Sequence, residues 1–309
     1  MGRNLEIFIE EGNMKQCVLF SIIIPHKNTP QLLERCLNSI PNREDIEIII
    51  VDDNSDPTKV NFNNYPGINN ERTTIVFSKE GNGAGYARNV GLQKAKGKWI
   101  IFADADDLFV KNAFVIFDSY ADSDSKLIYF NMVGRYSENL EKEHWRTEYV
   151  AKLIRKYDGS LLSLNNLKYR CFGPCAKMYR KELITEHNLV FDEVTAGNDV
   201  MFSIKTAFYA KSSISVSKDT VYCATYREGS LTSTKNYSSY LCRYKIKLSA
   251  NTFLKNHYLY EYQSPLLNYI VKSIRFGINK PFILTYLTIK SNNNPFTNLL
   301  KYFLKKVIP

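Results

Sequence analysis

No stretch of this chain reaches the roughly 18 uncharged apolar residues that a membrane-spanning helix needs, although 44% of its 309 residues are hydrophobic. Low-complexity tracts and internal repeats are missing too, so a packed core is expected rather than a disordered chain. Histidine is scarce: there are four, and none falls between His187 and His257. The six cysteines (Cys17, Cys36, Cys171, Cys175, Cys223, Cys242) lack paired-knuckle spacing. Only Cys171 and Cys175 are close, and no second pair or histidine cluster completes a zinc site. They read as buried free thiols. The opening residues place Glu6, Glu10 and Glu11 where a secretory signal needs a basic start and an apolar core. Glu6 also stands where a myristoylation motif wants Ser or Thr. The expectation is a reduced, cytoplasmic protein.

What is present is unevenly charged. The net charge is +10, and residues 235–309 hold 12 of the 41 Lys and Arg but one acid, Glu261. Residues 1–234 are close to neutral, with 29 basic and 30 acidic side chains. After a leader over 1–18, short apolar runs predict strands over 20–25, 46–51, 73–77 and 99–103. Helical spacing predicts helices over 30–40 and 84–95. Such alternation implies an α/β fold with a mainly parallel central sheet and helices on both faces. Ligands then bind at the carboxyl ends of the strands. The second half is less regular, with strands over 126–133 and 213–216 and a helix over 199–210. Beyond 235 the pattern is helical, aromatic and basic.

Polar signatures stand at those strand ends. After the strand at 99–103 come Asp104, Asp106 and Asp107, three carboxylates in four positions. Buried carboxylates at that density repel unless a cation or hydrogen-bond donors lie between them. Oxygen-only ligands favour Mg²⁺ or Mn²⁺. Asp52 and Asp53 close the second strand; a carboxylate there can accept from a base or ribose donor, or simply start a turn. Gly81, Gly83 and Gly85 precede a helix. A dinucleotide-binding fingerprint would need a glycine at 86, where Tyr86 stands.

In their order, over about residues 19–232, these segments resemble the family 2 glycosyltransferases, whose fold is GT-A. The resemblance implies a nucleotide-sugar half over 19–115 and an acceptor half over 116–234, with a basic helical C-terminal extension over 235–309. It implies donor-binding roles for Pro25, Asp52, Asp53, Gly83, Arg88, Asp104 and Asp106. Asp106 would hold Mn²⁺ or Mg²⁺ bridging the diphosphate. Asp199 matches the family's catalytic base, and Lys177, Asn198 and Arg227 fall on the acceptor side. The implied activity is metal-dependent, inverting transfer of a sugar from a nucleotide sugar, a UDP-sugar by expectation. The acceptor would be a hydroxyl of a glycan or lipid-linked molecule in surface polysaccharide synthesis.

The chain departs from the family pattern at Ala176, where Asn is usual, and at Asn198, where Glu is usual. It also lacks the late histidine that binds metal in some relatives. Bland readings stand beside these: Asp199 as a helix cap, Arg88 in a structural salt bridge, and the chain as a non-catalytic subunit. Over 296–309, Phe296, Leu299, Leu300, Phe303, Leu304 and Val307 share one helical face, opposite Lys301, Lys305 and Lys306. That pattern suits an anionic membrane surface, or packing on the catalytic domain with solvated lysines. The expected location is cytoplasmic, at the inner face of the membrane. No nucleic-acid module accompanies the charge, and the oligomeric state is not readable.

Overall fold

A computed structural model describes residues 18–227 and 236–297. The leader up to residue 17, residues 228–235, and all but the start of the 296–309 stripe lie outside the described residues.

Four apolar runs become the parallel strands β1 (Phe20–His26), β2 (Ile46–Asp53), β3 (Thr73–Ser78) and β4 (Trp99–Phe102). Side chains of β1 alternate between two buried faces. Ile22 and Ile24 join one core with Leu33, Cys36, Phe114 and Phe117; Ile23 joins the other with Ala87, Phe102, Leu183 and Phe202. Burial on both faces is why these strands read as continuous apolar runs rather than alternating ones. Helices α1 (Pro30–Asn38) and α3 (Ala113–Asp118) cover the first face; α2 (Ala84–Lys94), α5 (Leu161–Arg170), α6 (Lys181–Glu186) and α7 (Val200–Tyr209) contribute to the second.

Past β4 the sheet is mixed. Its strand order is β3-β2-β1-β4-β8-β6-β9-β5, with β7 paired to β6. The added strands are β5 (Leu108–Phe109), β6 (Leu127–Tyr136), β7 (Asn139–Glu143), β8 (Lys177–Arg180) and β9 (Ile214–Tyr226). The parallel expectation therefore describes the first half, plus the β6–β9 pair. β9 is far longer than the run at 213–216. Polar residues 217–219 interrupt that run, and there the β6–β9 register shifts: Val216 pairs with Tyr129 and Thr220 with Asn131. The interruption is a bulge, after which the strand resumes. Helix α4 (Glu148–Arg155) follows β7.

The C-terminal segment is built from α8 (Tyr237–Asn256), α9 (Leu267–Lys272) and α10 (Lys280–Lys290). Asn236 caps α8 by accepting the Ser239 N–H at 2.8 Å. Ala250 and Leu254 of α8 pack with Met201 and Ile204 of α7. Tyr240, Tyr244, Leu248, Leu266, Ile270 and Leu284 form a further core. Among the described residues no helix is long and apolar enough to cross a membrane.

Candidate active site

The carboxyl end of β1 is tied to that of β2. His26 is 2% exposed and its Nε2 accepts the Thr29 N–H at 3.1 Å. The ring proton is thereby placed on Nδ1, 2.9 Å from Asp52 Oδ2. Asp52 also accepts from the Tyr65 hydroxyl at 3.0 Å, the Ser55 N–H at 2.8 Å and the Ser55 hydroxyl at 2.6 Å. Burial opposes the ionised form, but these bonds outweigh it and hold Asp52 below the usual carboxylate range. Asp52 was expected to contact a donor. With four bonds from its own chain and 1% exposure, it fixes the loop after β2.

Asp53 reaches the next element. Both its oxygens accept the Gly83 N–H, at 3.1 and 3.0 Å, and Lys27 Nζ lies 3.3 Å away. Gly83 has φ of 91°, a region glycine enters without penalty. A Cβ on Gly85 would stand 2.2 Å from the Asp192 carbonyl oxygen. The glycine pattern thus serves a turn with positive φ and a close backbone approach. Pro25 lies within β1, paired with Val51.

Helix α2 then grips the segment that carries Asp199. Asn89 donates to the Phe191 carbonyl at 3.0 Å and accepts the Phe191 N–H at 2.8 Å. Arg88, 5% exposed, donates to Asp104 Oδ1 at 2.6 Å and to Asn198 Oδ1 at 3.0 Å. Its guanidinium stacks 5.3 Å from the Phe191 ring centre, and its buried Nε has no partner. One cation therefore joins the aspartate loop after β4 to the loop before α7. Burial works against the charge of Arg88, but Asp104 and Asp199 more than offset it.

The three aspartates after β4 have three fates. Asp104 pairs with Arg88, and its N–H donates to the Tyr222 hydroxyl at 2.9 Å. Asp107 is 2% exposed and accepts the Thr225 N–H at 2.6 Å. Burial, then Asp106 and Asp104, push its carboxyl well up. Asp106 is anchored by its backbone, whose carbonyl accepts from Arg35 at 2.6 Å and from the Thr225 hydroxyl at 2.6 Å. Among the described residues, no other residue donates a hydrogen bond to its carboxylate. Burial, then Asp104, raise it, against the opposing charges of Arg146 and Arg227.

Asp199 precedes α7 without making a side-chain cap. The bland capping role is therefore not what its carboxylate does. Burial raises it above the usual range, countered by Arg88 and Lys177, while Asp104 raises it further. Asp104, Arg88, Asn198 and Asp199 thus share one electrostatic neighbourhood. Asn198 keeps an acceptor where the family has Glu. Ala176 has φ of 54°, a conformation Asn adopts far more readily, which gives the family's residue a backbone reason. Lys177 does not reach an acceptor side: it is 2% exposed, donates to the Cys171 carbonyl at 2.9 Å and lies 4.9 Å from the Tyr129 ring centre. Its charge reaches the site only through Asp199.

Several site residues carry no signal of their own in the sequence. Tyr65, Tyr222 and Thr225 are ordinary loop and strand residues until the fold brings them to the aspartates. His26 directly follows Pro25 in a segment already singled out. Arg146 donates to the Thr225 carbonyl. Trp145, 79% exposed, stacks on His144 at 5.3 Å, and His144 stacks on Tyr226 at 4.2 Å and 3°.

Among the described residues, no group of three or more His, Cys, Asp or Glu is placed to hold a metal. A hard cation of the Mg²⁺ type needs only one or two carboxylates when phosphate oxygens and waters complete its shell. Asp106, to whose carboxylate no other described residue donates, fits that lesser demand; Asp104 is paired with Arg88 through Oδ1 and Asp107 with the Thr225 N–H.

The model of glycosyl transferase family 2 matches residues 21–187. An uncharacterized glycosyltransferase of Mycoplasma genitalium is 31% identical over 172 residues, covering 53% of this chain and 55% of its own length. TarS of Staphylococcus aureus, a poly(ribitol-phosphate) beta-N-acetylglucosaminyltransferase, is 25% identical over 217 residues, 68% of this chain and 36% of TarS. The chain thus spans about half or less of these curated relatives. A crystal structure of S. aureus TarS 1-349 in complex with UDP-GlcNAc has a TM-score of 0.62 at 23% identity, covering 85% of this chain and 75% of that one. That likeness is one of fold, the GT-A type.

Proposed function

The chain belongs to glycosyl transferase family 2, and we propose that it moves a sugar from a nucleotide sugar to an acceptor hydroxyl with inversion. The observation that carries this reading is the Arg88 bridge, which ties Asp104 to the loop bearing Asp199. The proposed donor is a UDP-sugar, supported by the TarS complexes with UDP-GlcNAc and with UDP. The proposed acceptor is a glycan or lipid-linked molecule in surface polysaccharide synthesis. Names among the relatives support a polymer acceptor: TarS and a Bacillus spizizenii glucosyltransferase both act on poly(ribitol-phosphate).

Asp53, Pro25 and Gly83 line the end of the sheet where the nucleotide is proposed to sit. Arg88 holds Asp104 in place beside it. Asp199 takes the proton of the acceptor hydroxyl as its oxygen attacks the anomeric carbon. The new glycosidic bond forms while the bond to the diphosphate oxygen breaks, and the nucleoside diphosphate leaves. A carboxylate raised by burial is better matched to that proton transfer than a freely solvated one. Mn²⁺ or Mg²⁺ on Asp106 would neutralise charge on the departing diphosphate. Arg146 and Arg227 face the same carboxylate, placing cationic side chains beside the proposed diphosphate. Trp145 offers an exposed ring next to Arg146, a platform for the apolar C–H face of an acceptor sugar.

The test is release of UDP from UDP-GlcNAc and UDP-glucose with Mn²⁺, with and without poly(ribitol phosphate). Acceptor-stimulated release is expected. No release from either donor, together with no thermal stabilisation by UDP and Mn²⁺, would overturn the reading.

A further inference from the structure

Helix α10 is apolar on both sides. Between Lys280 and Lys290 no residue is charged. Leu284 and Thr288 are fully buried against the α8 and α9 core. On the other side, Phe282, Tyr286 and Ile289 recur at helical spacing and are 75%, 61% and 67% exposed. A helix on a water-facing surface places charge there instead. The segment leading into α10 repeats the feature: Val271 and Ile274 are each 58% exposed, and Ile278 is 80% exposed. With Ile283, seven large apolar side chains lie open within residues 271–289. Scattered exposed residues need no explanation, but such a concentration marks an interaction face.

The surrounding charge selects the partner. Residues 236–297 hold eight Lys and Arg and the single acid Glu261. Among the described residues, none of these eight is in an ion pair. Lys272, Arg275 and Lys290 are exposed within or beside the apolar stretch. A second copy of the chain would bring cations against cations, and a nucleic acid would leave the apolar side chains unpartnered. We propose that the α9–α10 face seats on a bilayer containing anionic lipid, with Ile278, Phe282, Tyr286 and Ile289 entering the interface and Lys272, Arg275 and Lys290 meeting headgroups. Each such cation adds about fivefold to partitioning. The helix under this face touches the segment that carries Asp199: Cys242 of α8 donates to the Ala196 carbonyl at 3.3 Å, three residues before Asp199.

The experiment is flotation of the full chain with vesicles of phosphatidylglycerol and phosphatidylcholine, compared with phosphatidylcholine alone. The wild type should float with the anionic vesicles, and a double variant Ile278→Asp, Phe282→Asp should lose at least about tenfold in partitioning. Both positions are exposed, so an unchanged Tm checks that the variant folds. Lys272→Glu with Arg275→Glu should remove the preference for anionic lipid. The double variant keeps residues 298–309 intact, so undiminished flotation would hand the role to that segment and overturn the assignment. No flotation of the wild type, with light scattering showing a dimer that the double variant splits, would assign the face to a second copy and equally overturn it. UDP binding by the double variant separates either outcome from a failure of the donor site.

Discussion

At the end of β2, Asp52 accepts four hydrogen bonds from its own chain and is held below the usual carboxylate range. After β4, Asp106 is half-buried, receives no donor from another described residue, and is raised. Asp199, before α7, is raised in the same way. Burial opposes ionisation at all three; hydrogen-bond donors offset it at Asp52, whereas at Asp106 and Asp199 the like charge of Asp104 adds to it. A carboxylate satisfied within the fold stabilises it, whereas one left short of donors is stabilised only when a ligand arrives. The contrast therefore sorts the acids into those that hold the site together and those kept for chemistry.

Breaking the first group should cost most in stability. Asp52→Ala removes the buried acceptor of Ser55 and leaves His26 Nδ1 and the Tyr65 hydroxyl with only each other, at 2.6 Å, and should cost about 3–5 kcal/mol. A Tm lower by about 10 °C is expected in calorimetry, and a fall under about 2 °C would mean the network is dispensable. Asp106→Ala should do the reverse: little or no loss of Tm, because a buried like charge is removed, but UDP binding with Mn²⁺ about a hundredfold weaker by titration calorimetry. Loss of Tm without loss of binding would place Asp106 with Asp52.

Smaller effects sharpen the picture. Trp145→Ala should raise the acceptor KM about tenfold and leave donor hydrolysis without acceptor unchanged; equal effects on both would remove the platform. The pH dependence of the two groups should oppose. The folded pKa of Asp52 is below its unfolded value, so its stabilisation is present above roughly pH 4 and lost as pH falls through the folded pKa. Asp199 holds its proton more tightly when folded, so ionising it as pH rises through the raised pKa costs stability. Asp199→Asn should therefore flatten the decline of Tm between the unfolded carboxyl pKa, about 4, and the raised folded pKa. The acid limb of kcat should lie above the ordinary carboxylate range.

Much of the first half was legible in the sequence because burial on both faces leaves an unbroken apolar run, as in 46–51 and 99–103. The aspartates were legible because they close such runs. The bulge in β9 was not, since residues 217–219 look like a loop until β6 pairs on either side of them. The hydrogen-bond network of Asp52 was not legible for a related reason: its partners His26 and Tyr65 are 26 and 13 positions away, and only the fold supplies them. Lys177 looked polar and available, yet a carbonyl and a ring bury it. The apolar face of α10 was hidden because its sequence reads equally as core, and only the fold separates the two.

Asp199→Asn, assayed for acceptor-stimulated UDP release beside UDP affinity in the same buffer, tests the central assignment most directly. Removing a base used only in the chemical step should lower turnover about a thousandfold and leave UDP affinity within about twofold. Turnover within about tenfold of wild type, or a parallel collapse of UDP affinity, would contradict it.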